Sequence, residues 1–70
     1  MKIEYICIAF QAKKWYHVTS AGVKETKMGS SGFDSLPPIL AYIEEYAEKN
    51  GFTIVNPAVG NSMQIFLVKQ

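Results

Sequence analysis

The sequence contains no arginine, and only one cysteine and one histidine occur among its 70 residues. A single cysteine rules out a disulfide within the chain and is typical of proteins from a reducing compartment. Without arginine, the planar two-point contact of that side chain with phosphate or guanine is absent. A zinc site needs three or four clustered ligands, and the lone histidine has no such neighbours in sequence. We therefore expect neither a metal nor a cofactor.

Long hydrophobic runs are also absent, although 49% of the residues are hydrophobic. The apolar run at residues 5–10 is too short for a signal peptide, and Glu4 and Lys13 flank it closely. No segment approaches the length that spans a membrane. We expect a cytoplasmic protein that folds as one small domain over residues 1–70. Because so short a chain buries only a marginal core, self-association as a homodimer would add burial.

The segment around residues 35–50 predicts an amphipathic helix. Apolar residues recur there at steps of three and four, and the glutamates fall on the opposite face. Asp34 or Ser35 is expected to cap the first free N–H groups, and Phe33 to pack on the first turn. At the other end Gly51 supplies a left-handed residue, after which Phe52 can fold back on Tyr46 or Ala47. The apolar stripe consists of Leu36, Ile39, Leu40, Ile43, Tyr46 and Ala47.

Alternation and β-forming residues predict strands on both sides of this helix. Strands are expected at residues 1–10, 15–19, 52–56 and 62–69, and residues 23–28 predict a further edge strand that carries lysines. Residues 29–33 are expected to form a flexible connector, and residues 56–61 a turn. The predicted fold class is α+β: one helix on one face of a mostly antiparallel sheet of four or five strands, in the order β-β-(β)-α-β-β.

Three segments resemble a family of small uncharacterised bacterial and phage domains. They are Lys2 to Tyr5 opening an apolar strand, Asn50 to Val55 closing the helix on a glycine-aromatic pair, and Gln64 to Lys69 ending in lysine. The resemblance covers both ends and the helix but not residues 13–31. It implies a helix-on-sheet framework and a possible phage origin, and it implies no catalytic activity.

Single residues with reactive side chains each have a structural and a functional interpretation. His17 could be a general base or a metal ligand, but without partners it is better interpreted as a hydrogen-bonded or surface histidine. Cys7 lies within an apolar strand and is expected to fill the core. Asp34 is most simply the helix cap, and no pair of carboxylates has catalytic spacing. These residues predict a protein that is not an enzyme.

One segment combines cations with aromatic side chains and is the candidate partner-binding site: Lys13, Lys14, Trp15, Tyr16 and His17. Trp15 and Tyr42 are expected to be exposed, with Trp15 and Tyr16 as anchors within a rim of lysines. Residues 1–33 carry a net charge of +3 and residues 34–70 carry −2, so the molecule is polarised. The overall charge of +1 is low for a nucleic-acid binder.

Two functions are compatible with this segment. The first is a non-enzymatic protein-interaction module, self-associating as a homodimer, that binds or regulates a partner macromolecule. The second is a single-stranded nucleic-acid-binding domain in which lysines contact phosphates and the aromatic rings stack on bases.

Overall fold

The computed structural model describes residues 1–30, 33–59 and 62–70 and contains one helix and one sheet. Five strands and a 15-residue helix follow one another along the chain, the helix being preceded by a single 3₁₀ turn, Phe33–Ser35. The elements are β1 (Lys2–Ala9), β2 (Lys14–Thr19), β3 (Gly22–Lys27), α1 (Leu36–Asn50), β4 (Thr53–Val59) and β5 (Ser62–Lys69).

All neighbouring strands are antiparallel, and their spatial order is β3-β2-β1-β5-β4. The first and last strands of the chain pair along eight residues, from Lys2 opposite Lys69 to Ala9 opposite Ser62, so the centre of the sheet joins the two halves of the sequence. This arrangement confirms the predicted α+β class, including the edge strand β3.

The helix lies on one face of the sheet and forms the core with it. Ile39, Ile43 and Ala47 of α1 are buried, as the helical spacing predicts. The sheet contributes alternate residues to this core, because side chains of one strand point to opposite faces in turn. The buried apolar residues of the strands are Ile6 and Ile8 of β1, Trp15 of β2, and Ile65 and Leu67 of β5.

The helix begins without the side-chain cap that the sequence suggests. Ser35 is the N-cap residue and makes no capping hydrogen bond; its hydroxyl instead accepts a bond of 3.1 Å from the backbone N–H of Ser30. A capping oxygen normally accepts from the second or third helical N–H. In α1 those positions are Pro37 and Pro38, which have no N–H to donate. The capping prediction is therefore wrong for Ser35, and Asp34 accepts from the Ser30 hydroxyl at 2.9 Å.

The C-terminal end of the helix follows the prediction. Gly51 adopts φ 76°, and the N–H groups of Gly51 and Phe52 both donate to the carbonyl of Ala47, the latter at 2.8 Å. The ring of Phe52 stacks on that of Tyr46, with centroids 5.9 Å apart. The Phe52 bond to Ala47 and the contact of Phe52 with Tyr46 are those of a Schellman ending, whereas the Gly51 bond to the same carbonyl is the one made in the simpler left-handed motif.

Two further details differ from the predictions. Phe33 does not pack on the first turn of the helix as predicted. It is 78% exposed and contacts Phe10, with ring centroids 5.8 Å apart. Strand β4 continues to Val59, beyond the predicted strand end at Asn56, with a register shift between Val55 and Ala58. Pro57 is accommodated at this irregular part of an edge strand, where a missing N–H breaks no regular ladder. The predicted connector and turn both include residues outside the described ranges, namely 31–32 and 60–61.

No helix within residues 1–30, 33–59 and 62–70 has the length and apolar character needed to cross a membrane.

Substitution of Gly51 by alanine is expected to destabilise the fold by about 1 kcal/mol, because a β-carbon disfavours positive φ. The cost comes from the backbone alone, since the added atom would meet only Lys69 Cε, at 3.8 Å. Thermal or urea unfolding measures it. Gly29→Ala is the matched control, because its added β-carbon meets nothing within 4 Å. Equal midpoints for the two variants would contradict the left-handed cap.

Candidate functional site

The five residues of the predicted binding segment do not form one surface. Trp15 and His17 lie beneath α1 and are 7% and 5% exposed, whereas Lys14 and Tyr16 lie on the opposite face of the sheet. Lys13 is exposed in the turn before β2, with φ 56°. The expectation of an exposed Trp15 is wrong, because strand alternation places it in the core, where it packs edge-on against Tyr42. The segment is thus divided between two separate regions.

The first region is the face of the sheet opposite α1, which we call the open face. A continuous apolar row crosses it, because cross-strand partners share a face. Tyr5 at the centre pairs with Val18 on one side and Phe66 on the other. Val18 pairs with Val23 of β3, and Phe66 with Val55 of β4, so the row spans all five strands. The rings of Tyr5 and Phe66 are in contact, with centroids 5.1 Å apart.

Apolar residues extend the open face on one side of this row, and charged residues limit it on the other. Ile3 pairs with Val68 beyond the row and is 53% exposed. Lys14 lies toward the opposite end, next to Lys27 on β3, and forms an ion pair of 3.3 Å with Glu25. This pair is well exposed, so it contributes little stability. The open face is therefore mainly apolar, with its charged side chains at one corner.

Cys7 also lies on the open face, between Tyr16 and Gln64 of the neighbouring strands. It is half-buried, so the expectation that it fills the core is wrong. The strand pattern explains the difference, because Cys7 alternates with the buried Ile6 and Ile8.

The second region is a buried polar cluster between α1 and the sheet. His17 Nε2 donates to Glu4 Oε1 at 2.7 Å, and the hydroxyl of Tyr46 donates to the same oxygen at 2.7 Å. The hydroxyl of Tyr42 lies 3.2 Å from His17 Nδ1. Glu4 is only 4% exposed. Every buried side-chain nitrogen or oxygen in the described part of the chain has a hydrogen-bond partner.

The protonation states of this cluster follow from its contacts. Burial raises the pKa of Glu4, but hydrogen bonds from Tyr46 and His17, the charge of His17 when it is protonated, and the charge of Lys2 outweigh burial, so the net pKa is lowered. Glu4 is accordingly ionised at neutral pH. Burial, with the hydrogen bond to Glu4 and its negative charge, raises the pKa of Tyr46 to about 12. Tyr46 thus remains a hydrogen-bond donor across the physiological range.

Sequence reasoning missed Glu4 and the two tyrosines as partners of His17. Glu4 is separated from His17 by 13 residues, so no local pattern signals the contact. One signal was available: Glu4 alternates in phase with Ile6 and Ile8, the residues of β1 that face the helix. A charged residue in phase with a buried set needs a buried partner.

Among the described residues, no group of three or more histidine, cysteine, aspartate or glutamate side chains could hold a metal ion. His17 and Glu4 form the only pairing of such groups that the cluster contains, and Cys7 is on the opposite face of the sheet.

Comparison with protein-family models, with curated proteins and with solved structures found no match for this chain.

The raised pKa of Tyr46 predicts a loss of stability in alkali. A tyrosine whose folded pKa exceeds its ordinary value of 10.0 contributes fully below pH 10, and its contribution is lost as the pH rises to about 12. Urea unfolding of the wild type between pH 9 and 12 should show this decline, and Tyr46→Phe should show a shallower one. The other ionisable groups are the same in both proteins, so the difference isolates Tyr46. Parallel curves would contradict a buried Tyr46 donor.

Proposed function

We propose that this protein is a non-enzymatic interaction module that associates with a second copy of itself through the open face and, as a dimer, binds or regulates a partner macromolecule. The observation that carries the proposal is the apolar row from Val23 through Tyr5 to Val55. Val23 and Val55 at its ends are 64% and 45% exposed. Contiguous apolar patches of this kind mark interaction sites on soluble domains.

The size of the open face suits a second copy. The strands are 6 to 8 residues long. With about 3.3 Å per residue and about 4.8 Å between strands, the face of the five-stranded sheet measures roughly 500 Å². Two such faces packed together bury roughly 1,000 Å², which is the lower end of specific protein interfaces. Sheets pack face to face about 10 Å apart with interdigitating side chains, as in β-sandwiches.

The distribution of charge also favours a symmetric pair. The charged strand residues of the open face are Lys14, Glu25 and Lys27, and register places them together at one corner. A two-fold axis through the centre of the face, near Tyr5, brings each charged corner over an uncharged part of the partner. Like charges are then kept apart while the apolar rows meet.

Replacement of Val55 by lysine tests this interface. The variant places a cation within the apolar face, so we expect the dimer dissociation constant to rise at least about tenfold, because an unpaired charge is costly to bury. Ile54→Lys is the matched control: Ile54 is the preceding residue of β4, is 41% exposed and lies on the helix side of the sheet. Sedimentation velocity over a range of concentrations measures both variants.

Cys7 provides an independent readout on the unmodified protein. As the only thiol of the chain, half-buried on the open face, it should react more slowly with a thiol reagent as the protein concentration rises. Ala41→Cys in a Cys7→Ser background gives the matched control, because Ala41 is exposed on the helix. A monomeric wild type at millimolar concentration, or equal effects of Val55→Lys and Ile54→Lys, would refute the proposed interface.

Single-stranded nucleic acid is the second candidate ligand of the same face. The observation in its favour is that Tyr5, Tyr16 and Phe66 lie on an open sheet near Lys14 and Lys27. Aromatic residues on such a sheet can stack on bases while lysines neutralise phosphates.

We expect one titration to distinguish the dimer function from the nucleic-acid-binding function. The anisotropy of a labelled single-stranded oligonucleotide should not rise with added protein at moderate salt, since Lys14, Lys27 and Glu25 give the face a net charge of only +1. A rise that persists at moderate salt and is lost in Tyr16→Ala and Lys14→Glu would favour the nucleic-acid function instead.

A further inference from the structure

A groove borders the buried polar cluster and reaches its tyrosine side. The groove has a volume of about 350 Å³ and lies between α1 and the turn that joins β2 to β3. Its walls include the side chains of His17, Lys24, Tyr42 and Tyr46. The ammonium group of Lys24 lies 5.7 Å from the centre of the Tyr42 ring. The cluster is thus bordered by a shallow groove that is open to solvent.

The hydrogen bonds give each member of the cluster a defined chemical role. Ionised Glu4 can only accept, so His17 must carry a proton on Nε2, which donates to Glu4 at 2.7 Å. In the neutral imidazole, Nδ1 is then an acceptor, and the Tyr42 hydroxyl 3.2 Å away is its donor. A hydroxyl, an imidazole that can take its proton and a buried carboxylate that orients the imidazole form the arrangement of an activated nucleophile.

We propose that Tyr42 is the nucleophile of an acyl-accepting site, with His17 as its base and Glu4 as the residue that positions His17. The substrate class is an activated acyl ester. Tyr42 is itself the acyl acceptor and is consumed in the step, so the site is one of self-acylation and the protein remains non-enzymatic. It is independent of the open face, since the two lie on opposite sides of the sheet.

The chemical step balances without a further reactant. The Tyr42 oxygen attacks the carbonyl carbon of the ester, and its proton moves to His17 Nδ1. The bond from the carbonyl carbon to the leaving oxygen then breaks, the leaving group departs with the electron pair, and His17 returns the proton to it or to water. Acyl-tyrosine and an alcohol or phenol are the products.

The aromatic wall of the groove favours an ester with a flat leaving group. The rings of Tyr42 and Tyr46 are nearly parallel, with centroids 6.1 Å apart and an angle of 11° between their planes. Because both rings line the groove, an aryl leaving group gains more contact there than an alkyl one.

The test uses p-nitrophenyl acetate and the wild-type protein. Release of p-nitrophenolate gives the rate, and mass spectrometry of peptides locates the acetyl group. We expect acetylation of Tyr42 at least about tenfold faster than that of N-acetyltyrosinamide under the same conditions, as general-base assistance provides. In the Tyr42→Phe variant, the acetylated peptide that contains position 42 should be absent from the mass spectrum. Phe33→Leu is the control, since Phe33 is an exposed aromatic residue outside the cluster, and it should leave the Tyr42 rate unchanged.

Glu4→Gln tests whether Glu4 positions His17. The readout is the pH dependence of Tyr42 acetylation, which a loss of packing would not shift. The introduced amide keeps an oxygen that can accept from His17 but lacks the negative charge that stabilises the protonated imidazole. We expect Tyr42 acetylation at neutral pH to fall about tenfold and its dependence on pH to move toward that of the free phenol. Circular dichroism checks that the variant is folded.

Two results would overturn the proposal. One is acetylation confined to lysines and the amino terminus, or a Tyr42 rate equal to that of the reference amide. The other is a folded Glu4→Gln variant whose rate and pH profile match the wild type, which would remove Glu4 from the reaction.

Discussion

The packing of one helix on one face of the sheet is the constraint on which the other features depend. Ile39, Ile43 and Ala47 pack the helix against Ile6 and Leu67 at the centre of the sheet. A helix of this length is roughly 22 Å long and about 10 Å wide, so it covers only part of one face of a five-stranded sheet. Everything at its margin, and the whole opposite face, must be stabilised in another way.

At the margin the solution is a polar cluster rather than more apolar contact. Glu4 lies on the helix side of β1, where an unpaired carboxylate would be costly. Two donors on one oxygen, from His17 and Tyr46, offset that cost and keep the carboxylate charged. The same bonds fix the imidazole and leave its other nitrogen toward Tyr42. The contacts that stabilise the buried carboxylate therefore also place the Tyr42 hydroxyl against an imidazole nitrogen beside the groove.

On the opposite face the apolar row remains open to solvent. A chain of 70 residues can bury only a small core. A second layer of secondary structure would be needed to cover Val18, Tyr5 and Phe66. The tilted contact of Tyr5 with Phe66 protects part of this surface within the single chain. The self-association that we propose would supply the missing layer, and the charged corner at Lys14 would set its orientation.

The sequence by itself determined the helix, its glycine ending, the positions of the strands and the α+β class, because these depend on local periodicity and on residues such as Gly51 with strong backbone preferences. It did not determine which strand residues face the helix, since β1 is apolar on both sides. Only the tertiary structure decided that Trp15 and His17 are buried, that Cys7 is on the open face, and that Glu4 meets His17 and Tyr46. Those outcomes depend on pairing and packing between residues far apart in the chain, and no local pattern encodes the register that brings them together.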